Sequence, residues 1–317
     1  MTPPGTDDGR TFASSSPATD AEVGRFPIDD ATAVRGHVER AREAGAWWRG
    51  RGFDGRAAHL RRWRQRIWAG VDELVDLVHR ENGKPADDAL LEVVLAVEHM
   101  RWAEKNAGRA LVPPKSSPGL LFANYSTDVQ YEPLGVVGVI SPWNYPLYSP
   151  NSSVAYALAA GNTVVLKPSE YTPAVAAWYA RAFYDASPDA PRGVLTLTTG
   201  FGETGAALCN AGVDKISFTG STRTGKRIME QCARTLTPVL LECGGKDPVI
   251  IAEDADARSA ARAVAWGAFS NAGQTCVGVE RVYVVREMRD RFLTELRTQL
   301  DGVHPGNGPD ALYGPMT

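Results

Sequence analysis

Residues 133–170 read PLGVVGVISPWNYPLYSPNSSVAYALAAGNTVVLKPSE. Two short apolar runs, VVGVI (136–140) and TVVLK (163–167), flank a helical stretch near 147–160. Near-continuous apolar strands suit a sheet covered on both faces, and a helix between two of them is the crossover that parallel strands require. The alternation continues with a helix from about Pro173, VLTLTT (194–199), a short helix from about Thr204, KISFTG (215–220), a helix from about Thr224 and PVLLE (238–242). The pattern predicts an α/β fold with a doubly wound parallel sheet of the dinucleotide-binding kind.

Outward from this core, residues 29–108 carry helical periodicity, with Val34, Val38 and Ala41, then Leu74, Val75 and Val78, then Leu90, Leu91, Val94 and Val97 in register. Asp29 or Asp30 suits the first cap. NYSTDVQYEPLG (124–135) reads as an extended arm closed by Pro133 and Gly135. The first 24 residues are polar and rich in Pro, Ser, Thr and Asp, and are predicted to form a disordered arm. Past the sheet, DPVIIAED (247–254), a helix over about 256–269, RVYVV (281–285) and a helix near 287–300 begin a second α/β domain. The predicted division is therefore an arm over 1–24, helices plus the dinucleotide-binding domain over 25–245, and an incomplete second domain over 246–317.

With 317 residues, 44% hydrophobic and 22% charged, the chain can bury a sizeable core. A formal charge of -3 gives no reason to expect nucleic acid or an anionic membrane as partner, so a small molecule is the expected ligand. No apolar run approaches the ~18 residues that suggest a membrane span. The four cysteines are dispersed, without zinc-ligand spacing, which points to no metal site and to a reduced, cytoplasmic setting.

The strand ends hold the chemistry-bearing residues. GFGETG (200–205) matches the dinucleotide turn, but the acid expected about 20 residues on is missing, so an ordinary tight turn is an equal reading. In GSTRTG (220–225), Ser221 can bond a pyrophosphate oxygen or simply cap a helix. In LKPSE (166–170), Lys167 and Glu170 sit where ligands of open α/β sheets bind, or form a solvated pair. A carboxylate there favours NAD over NADP.

Cys276, in FSNAGQTCVGVERVYV (269–284), lies in a small-residue loop between a helix and a strand. The five histidines belong to helical patterns or a late loop, which leaves a Cys-His hydrolase poorly supported. Glu242 in LECGGK (241–246) is a better partner: it ends an apolar strand, where burial would raise its carboxyl toward a useful general base. A simple pair with Lys246 is the alternative. Asn144 in SPWNYP (141–146), stiffened between prolines, can donate its amide to an oxyanion or serve as turn chemistry.

Taken together, SPWNYP, LKPSE, GFGETG, FTGSTRTG, LECGGK and NAGQTC, in this order, resemble the aldehyde dehydrogenase superfamily in its hydrolytic, NAD(P)-dependent branch. The resemblance implies that Cys276 attacks the aldehyde carbon, that Asn144 and the Cys276 main-chain N–H hold the oxyanion, and that Glu242 activates water against the thioester. It places the cofactor, NAD with NADP possible, on Trp143, Lys167, Glu170, Gly202, Phe218 and Ser221. The expected substrate is a small-molecule aldehyde; a semialdehyde such as succinic semialdehyde is the alternative, suggested by Tyr148, Ser149 and Ser152 at tunnel positions. Cys243 stands where the family usually has leucine, and is read with Cys209 and Cys232 as a structural thiol. Full-length relatives are homo-oligomers. The family's Glu-x-Phe-Gly-Pro motif and terminal pairing strand do not occur before GPMT (314–317), so the chain is expected to be a fragment of a longer enzyme, with the 246–317 portion an incomplete catalytic domain. The alternatives are a truncated dinucleotide-binding remnant and a cofactor-free hydrolase using Cys276 and Glu242.

Overall fold

The computed structural model describes residues 10–114, 116–306 and 311–315. It corrects the arm expected at the N-terminus: β1 (Thr11–Ser15) and β2 (Glu22–Pro27) form an antiparallel hairpin. Residues 1–9 of that expected arm lie outside the described residues. The hairpin's aromatic anchor is Phe12, fully buried with its ring 5.1 Å from Phe201 and 6.0 Å from Phe26, and the buried Ser14 hydroxyl adds a bond to Glu81. A polar composition with a single buried aromatic gives too little local signal to reveal such a hairpin.

Four helices follow: α1 (Ala31–Arg49), α2 (Gly52–Ala69), α3 (Val71–Asn82) and α4 (Ala86–Ala110). Asp30 caps α1, accepting from the N–H groups of Thr32 and Ala33 at 2.8 Å. At the end of α3, Gly83 takes a left-handed φ of 83°, the usual helix stop. The extended arm expected over 124–135 is irregular and carries no strand.

The apolar runs form one five-stranded parallel sheet of β3 (Val136–Ile140), β4 (Thr163–Lys167), β5 (Leu195–Leu197), β6 (Lys215–Gly220) and β7 (Val239–Cys243), in the order β5-β4-β3-β6-β7. They are connected by α5 (Tyr148–Ala159), α6 (Pro173–Ala186), α7 (Gly202–Asn210) and α8 (Thr222–Ala233). Both faces are buried, as the apolar runs require. Val137, Val139, Val164 and Leu166 enter one core with α2, α5 and α6, while Val136, Ile140 and Val165 enter another with α1, α7 and α8. Because the chain winds outward from β3 in both directions, the loops after β3 and β6 diverge and leave a crevice, the usual ligand position of such sheets.

Beyond the sheet, β8 (Asp247–Ile251) and β9 (Val279–Val284) pair in parallel, and α9 (Ala257–Phe269) and α10 (Arg289–Leu300) cover them. Their core is small, centred on Ile251, Ala261, Val264 and Phe292. Ile250 and Trp266 remain 77% and 67% exposed, so much of this unit's apolar surface is uncovered. No helix among the described residues is long and apolar enough to cross a membrane.

Candidate active site

At the C-terminal end of β3 the chain enters SPWNYP, where Pro142 and Pro146 restrict the backbone on either side of Asn144. The Asn144 side-chain amide donates to the main-chain oxygen of Gln274 at 2.7 Å. An amide nitrogen carries two hydrogens, so a second donor is left for a ligand. Next to it, the Tyr145 hydroxyl meets Thr275 Oγ1 at 2.9 Å. On the other side, the Gly245 N–H donates to the Cys276 carbonyl at 3.2 Å. These three bonds bring SPWNYP, LECGGK and NAGQTC together around Cys276, which lies in a turn closed by Gly278 N–H to Thr275 O at 3.1 Å.

Cys276 is exposed, a placement open to an incoming electrophile. Cys209 and Cys232 are buried on α7 and α8, and Cys243 is half-buried. Burial pushes the Cys209 thiol up to about 12, which makes it inert as a nucleophile at neutral pH.

Glu242 corrects one expectation. It lies on β7, at the edge of the sheet, and is exposed. The alternation along β7 explains why: Val239, Leu241 and Cys243 pack against the core shared with α1, α7 and α8, whereas Leu240 and Glu242 point to the opposite face, which the described residues leave uncovered. The alternative pair with Lys246 is not made either, because Lys246 bonds Glu280. All five histidines bond elsewhere: His37 to Asp29, His59 to Ser187, His79 to the Lys84 carbonyl, His99 to two tyrosines and His304 to the Gly302 carbonyl.

The residues expected to hold a dinucleotide lie toward the same end of the sheet. Trp143 is half-buried, and its carbonyl accepts from Asn82 at 2.9 Å. Lys167 is buried; its ammonium donates to Pro168 O at 2.8 Å and lies 3.9 Å from Glu170. Burial pushes the Lys167 ammonium below its ordinary range, and Glu170 partly opposes this. Gly200 needs its missing side chain, since its φ is 140° and a Cβ would meet Thr204 Oγ1. Gly202, at the start of α7, faces open space where a Cβ would touch nothing. Phe218 is buried under Gly220 and Gly225, and Ser221 caps α8 by accepting from Thr224 N–H at 3.2 Å.

These residues fit a dinucleotide. Ser141, first after β3, has a buried hydroxyl without a hydrogen-bond partner among the described residues. The first turn of α8 leaves the N–H groups of Thr222 and Arg223 without helical acceptors, a setting that favours a phosphate. Trp143, Lys167, Glu170, Gly202, Phe218 and Ser221 would hold the cofactor on either side of the crevice.

Sequence reading missed the residues that support Asn144. Lys84 and Glu92 form a fully buried ion pair at 2.7 Å, and Lys84 also donates to the Asn144 carbonyl at 2.9 Å. Asn271, buried with a left-handed φ of 52°, donates to the same carbonyl at 3.0 Å and to Gln274 O at 3.1 Å. Its own N–H donates to Asp88, whose carboxyl burial pushes up. The only local signal was a lysine and a glutamate on an otherwise helical pattern, which by itself reads as a solvated face. A cavity of about 670 Å³ lies between the start of α4, α9, α10 and residues 311–313, and Cys276, Glu242 and Asn144 do not line it.

Comparison with known proteins places this geometry in a family. The model of the aldehyde dehydrogenase family matches residues 5–317. The chain is 35% identical over 309 residues to a 4,4'-diapolycopene aldehyde oxidase of Methylomonas sp, covering 97% of this chain and 58% of that one. It is also 35% identical to the glutarate-semialdehyde dehydrogenase of Pseudomonas putida, over 95% of this chain and 62% of that one. Among solved structures it superposes with TM-score 0.90 and 32% identity on an aldehyde dehydrogenase of Brucella melitensis biovar abortus, covering 98% of this chain and 64% of that one. A second, from Pseudomonas syringae and complexed with NAD+ and octanal, gives TM-score 0.86 at 32% identity, covering 95% of this chain and 61% of that one. The chain thus spans about 60% of the length of these relatives. With six motifs in order, the doubly wound sheet and a family match over nearly its whole length, the chain belongs to the aldehyde dehydrogenase family.

Proposed function

We propose that this chain carries the nucleophile and dinucleotide-binding portions of an enzyme that oxidises an aldehyde to its carboxylic acid with NAD, NADP being possible. The observation that carries this reading is the convergence on the Cys276 turn of the Asn144 amide, bonded to Gln274 O at 2.7 Å, and of Gly245, bonded to Cys276 O at 3.2 Å.

In the proposed reaction the Cys276 sulfur, entering as the thiolate that the last step regenerates, bonds to the aldehyde carbon, and the carbonyl π pair moves to the oxygen, which becomes an oxyanion. The free hydrogen of the Asn144 amide and the Cys276 main-chain N–H stabilise that charge. When bound, the nicotinamide supplies the acceptor for the hydride that leaves the tetrahedral carbon, and what remains on Cys276 is a thioester. Glu242 then takes a proton from water, the resulting hydroxide adds to the thioester, and the carbon–sulfur bond breaks to release the acid and the thiolate. The exposure of Glu242 suits a base that must meet water.

Several relatives carry semialdehyde names, among them the glutarate-semialdehyde dehydrogenase above and the NADP(+)-dependent succinate-semialdehyde dehydrogenase GabD of Escherichia coli. A semialdehyde is therefore the second reading of the substrate. Tyr148, bonded to His99 at 3.3 Å, adds polar lining near the SPWNYP loop, whereas Ser152 donates back to the Ser149 carbonyl. The four free thiols suit a reduced cytoplasmic setting, and a homo-oligomer is the assembly expected of full-length relatives.

The test is NADH formation by the purified chain with an aldehyde panel that includes succinic semialdehyde. Turnover should vanish in Cys276→Ser and fall roughly 10²–10⁴-fold in Glu242→Gln. Turnover that survives in Cys276→Ser would refute the reading. A folded chain that binds NAD without turnover would point to a remnant or to a fragment of a longer enzyme, and ester hydrolysis indifferent to NAD would identify a hydrolase.

A further inference from the structure

The Lys84–Glu92 pair is costly where it stands. Both side chains are essentially inaccessible to water, at 1% and 0%, and a buried ion pair is often no more stable than apolar residues of the same volume. Its charges are directed at one short segment. Lys84 donates to the Asn144 carbonyl at 2.9 Å and lies 4.3 Å from the centre of the Tyr145 ring. Glu92 Oε1 accepts from the N–H groups of Leu147 at 2.7 Å and Tyr148 at 2.9 Å, closing the start of α5. Main-chain groups at 144, 147 and 148 are thus all held by this pair, with Asn271 adding a second donor to the Asn144 carbonyl at 3.0 Å, while the Asn144 side chain points its amide at the Cys276 loop.

We infer that Lys84 and Glu92 are positioning residues for the oxyanion donor: Lys84, held by Glu92, sets the main-chain orientation from which the Asn144 amide reaches a substrate on Cys276. This rests on the proposed role of Asn144. An amide bound to a loop only through its side chain would pivot about the backbone. Anchoring the carbonyl of the same residue removes that freedom, and small displacements of an oxyanion donor are expensive in rate.

Two reactions of Cys276 separate positioning from general structure. Acylation by 4-nitrophenyl acetate passes through an oxyanion, whereas alkylation by iodoacetamide displaces iodide and forms none. Both are followed on the full 317-residue chain without NAD, with the Cys276→Ser background subtracted. The variants are Lys84→Met, the double variant Lys84→Met/Glu92→Gln and Asn144→Ala. The double variant replaces the ion pair with neutral side chains and leaves no uncompensated buried charge, and a cooperative thermal melt establishes that it is folded. Acylation should fall roughly 10²–10³-fold in Asn144→Ala and at least about tenfold in Lys84→Met and in the double variant, with alkylation within about twofold of wild type. Equal losses in both reactions would overturn the positioning role and leave a structural one. Slow acylation in Asn144→Ala with normal acylation in the folded double variant would overturn it as well. Normal acylation in Asn144→Ala would remove the oxyanion role on which the inference stands.

Discussion

Glu81 offers a test of how the N-terminal hairpin is tied to the rest of the molecule. Its carboxyl is fully buried; Oε1 accepts from the Ser14 hydroxyl at 2.5 Å and Ala174 N–H at 2.8 Å, and Oε2 accepts from Val175 N–H at 2.9 Å. One side chain on α3 thereby joins β1 to the first turn of α6. Burial pushes its carboxyl from 4.5 up to about 7, with the three hydrogen bonds opposing the rise. The folded state binds this proton more tightly than the unfolded state does. The associated stability is therefore complete below about pH 4.5 and is lost as the pH rises through about 7. At ~1.4 kcal/mol per pH unit the loss amounts to roughly 3 kcal/mol. Glu81→Gln is neutral throughout, keeps one carbonyl oxygen for the Ser14 and Ala174 donors, and loses the acceptor for Val175, at about 1 kcal/mol. Urea unfolding of both proteins at several pH values between about 4.5 and 8 measures the difference directly, since the other titrating groups cancel. The wild-type advantage of about 1 kcal/mol at the acid end should reverse at about pH 5, and by neutrality Glu81→Gln should be ahead by roughly 2 kcal/mol. Parallel pH profiles would refute the assignment of this stability to Glu81.

Two further substitutions test the sheet. Gly200→Ala forces a side chain onto a φ of 140° and against Thr204 Oγ1, which is itself held by Asp29 O at 2.8 Å. Destabilisation of about 2 kcal/mol or more in a denaturant titration is expected, and a neutral result would show that the turn can reshape. Tyr179→Phe leaves the buried Asn151 Oδ1 without its 2.8 Å donor, and the Asn151 amide nitrogen stays committed to Ala96 O. A loss of about 1–3 kcal/mol is expected from urea midpoints, and a loss well below that range would show that the carbonyl finds another donor.

What the sequence by itself determined was the set of local elements and their kind. VVGVI and TVVLK are strands at the expected residues, because a strand buried on both faces is predominantly apolar and says so over five residues, and KISFTG is a strand at the expected residues through its Ile216 and Phe218 alternation. A cap at Asp29 or Asp30, of which the structure uses Asp30, and Pro173 at the start of α6 were legible for the same local reason. The motifs also named the strand-end residues, since glycine, proline and isolated polar groups stand out against apolar runs. Only the tertiary structure decided what depends on partners far along the chain. Phe12 orders a hairpin because Phe201 lies beside it, and Glu242 is exposed because, among the described residues, its face of β7 is left uncovered. Lys84 and Glu92 gain their meaning from residues 144–148, more than fifty positions away, where they become one buried pair beneath the Asn144 loop. Periodicity reports which face of an element is buried; the identity of the group waiting there is a long-range fact, set by packing.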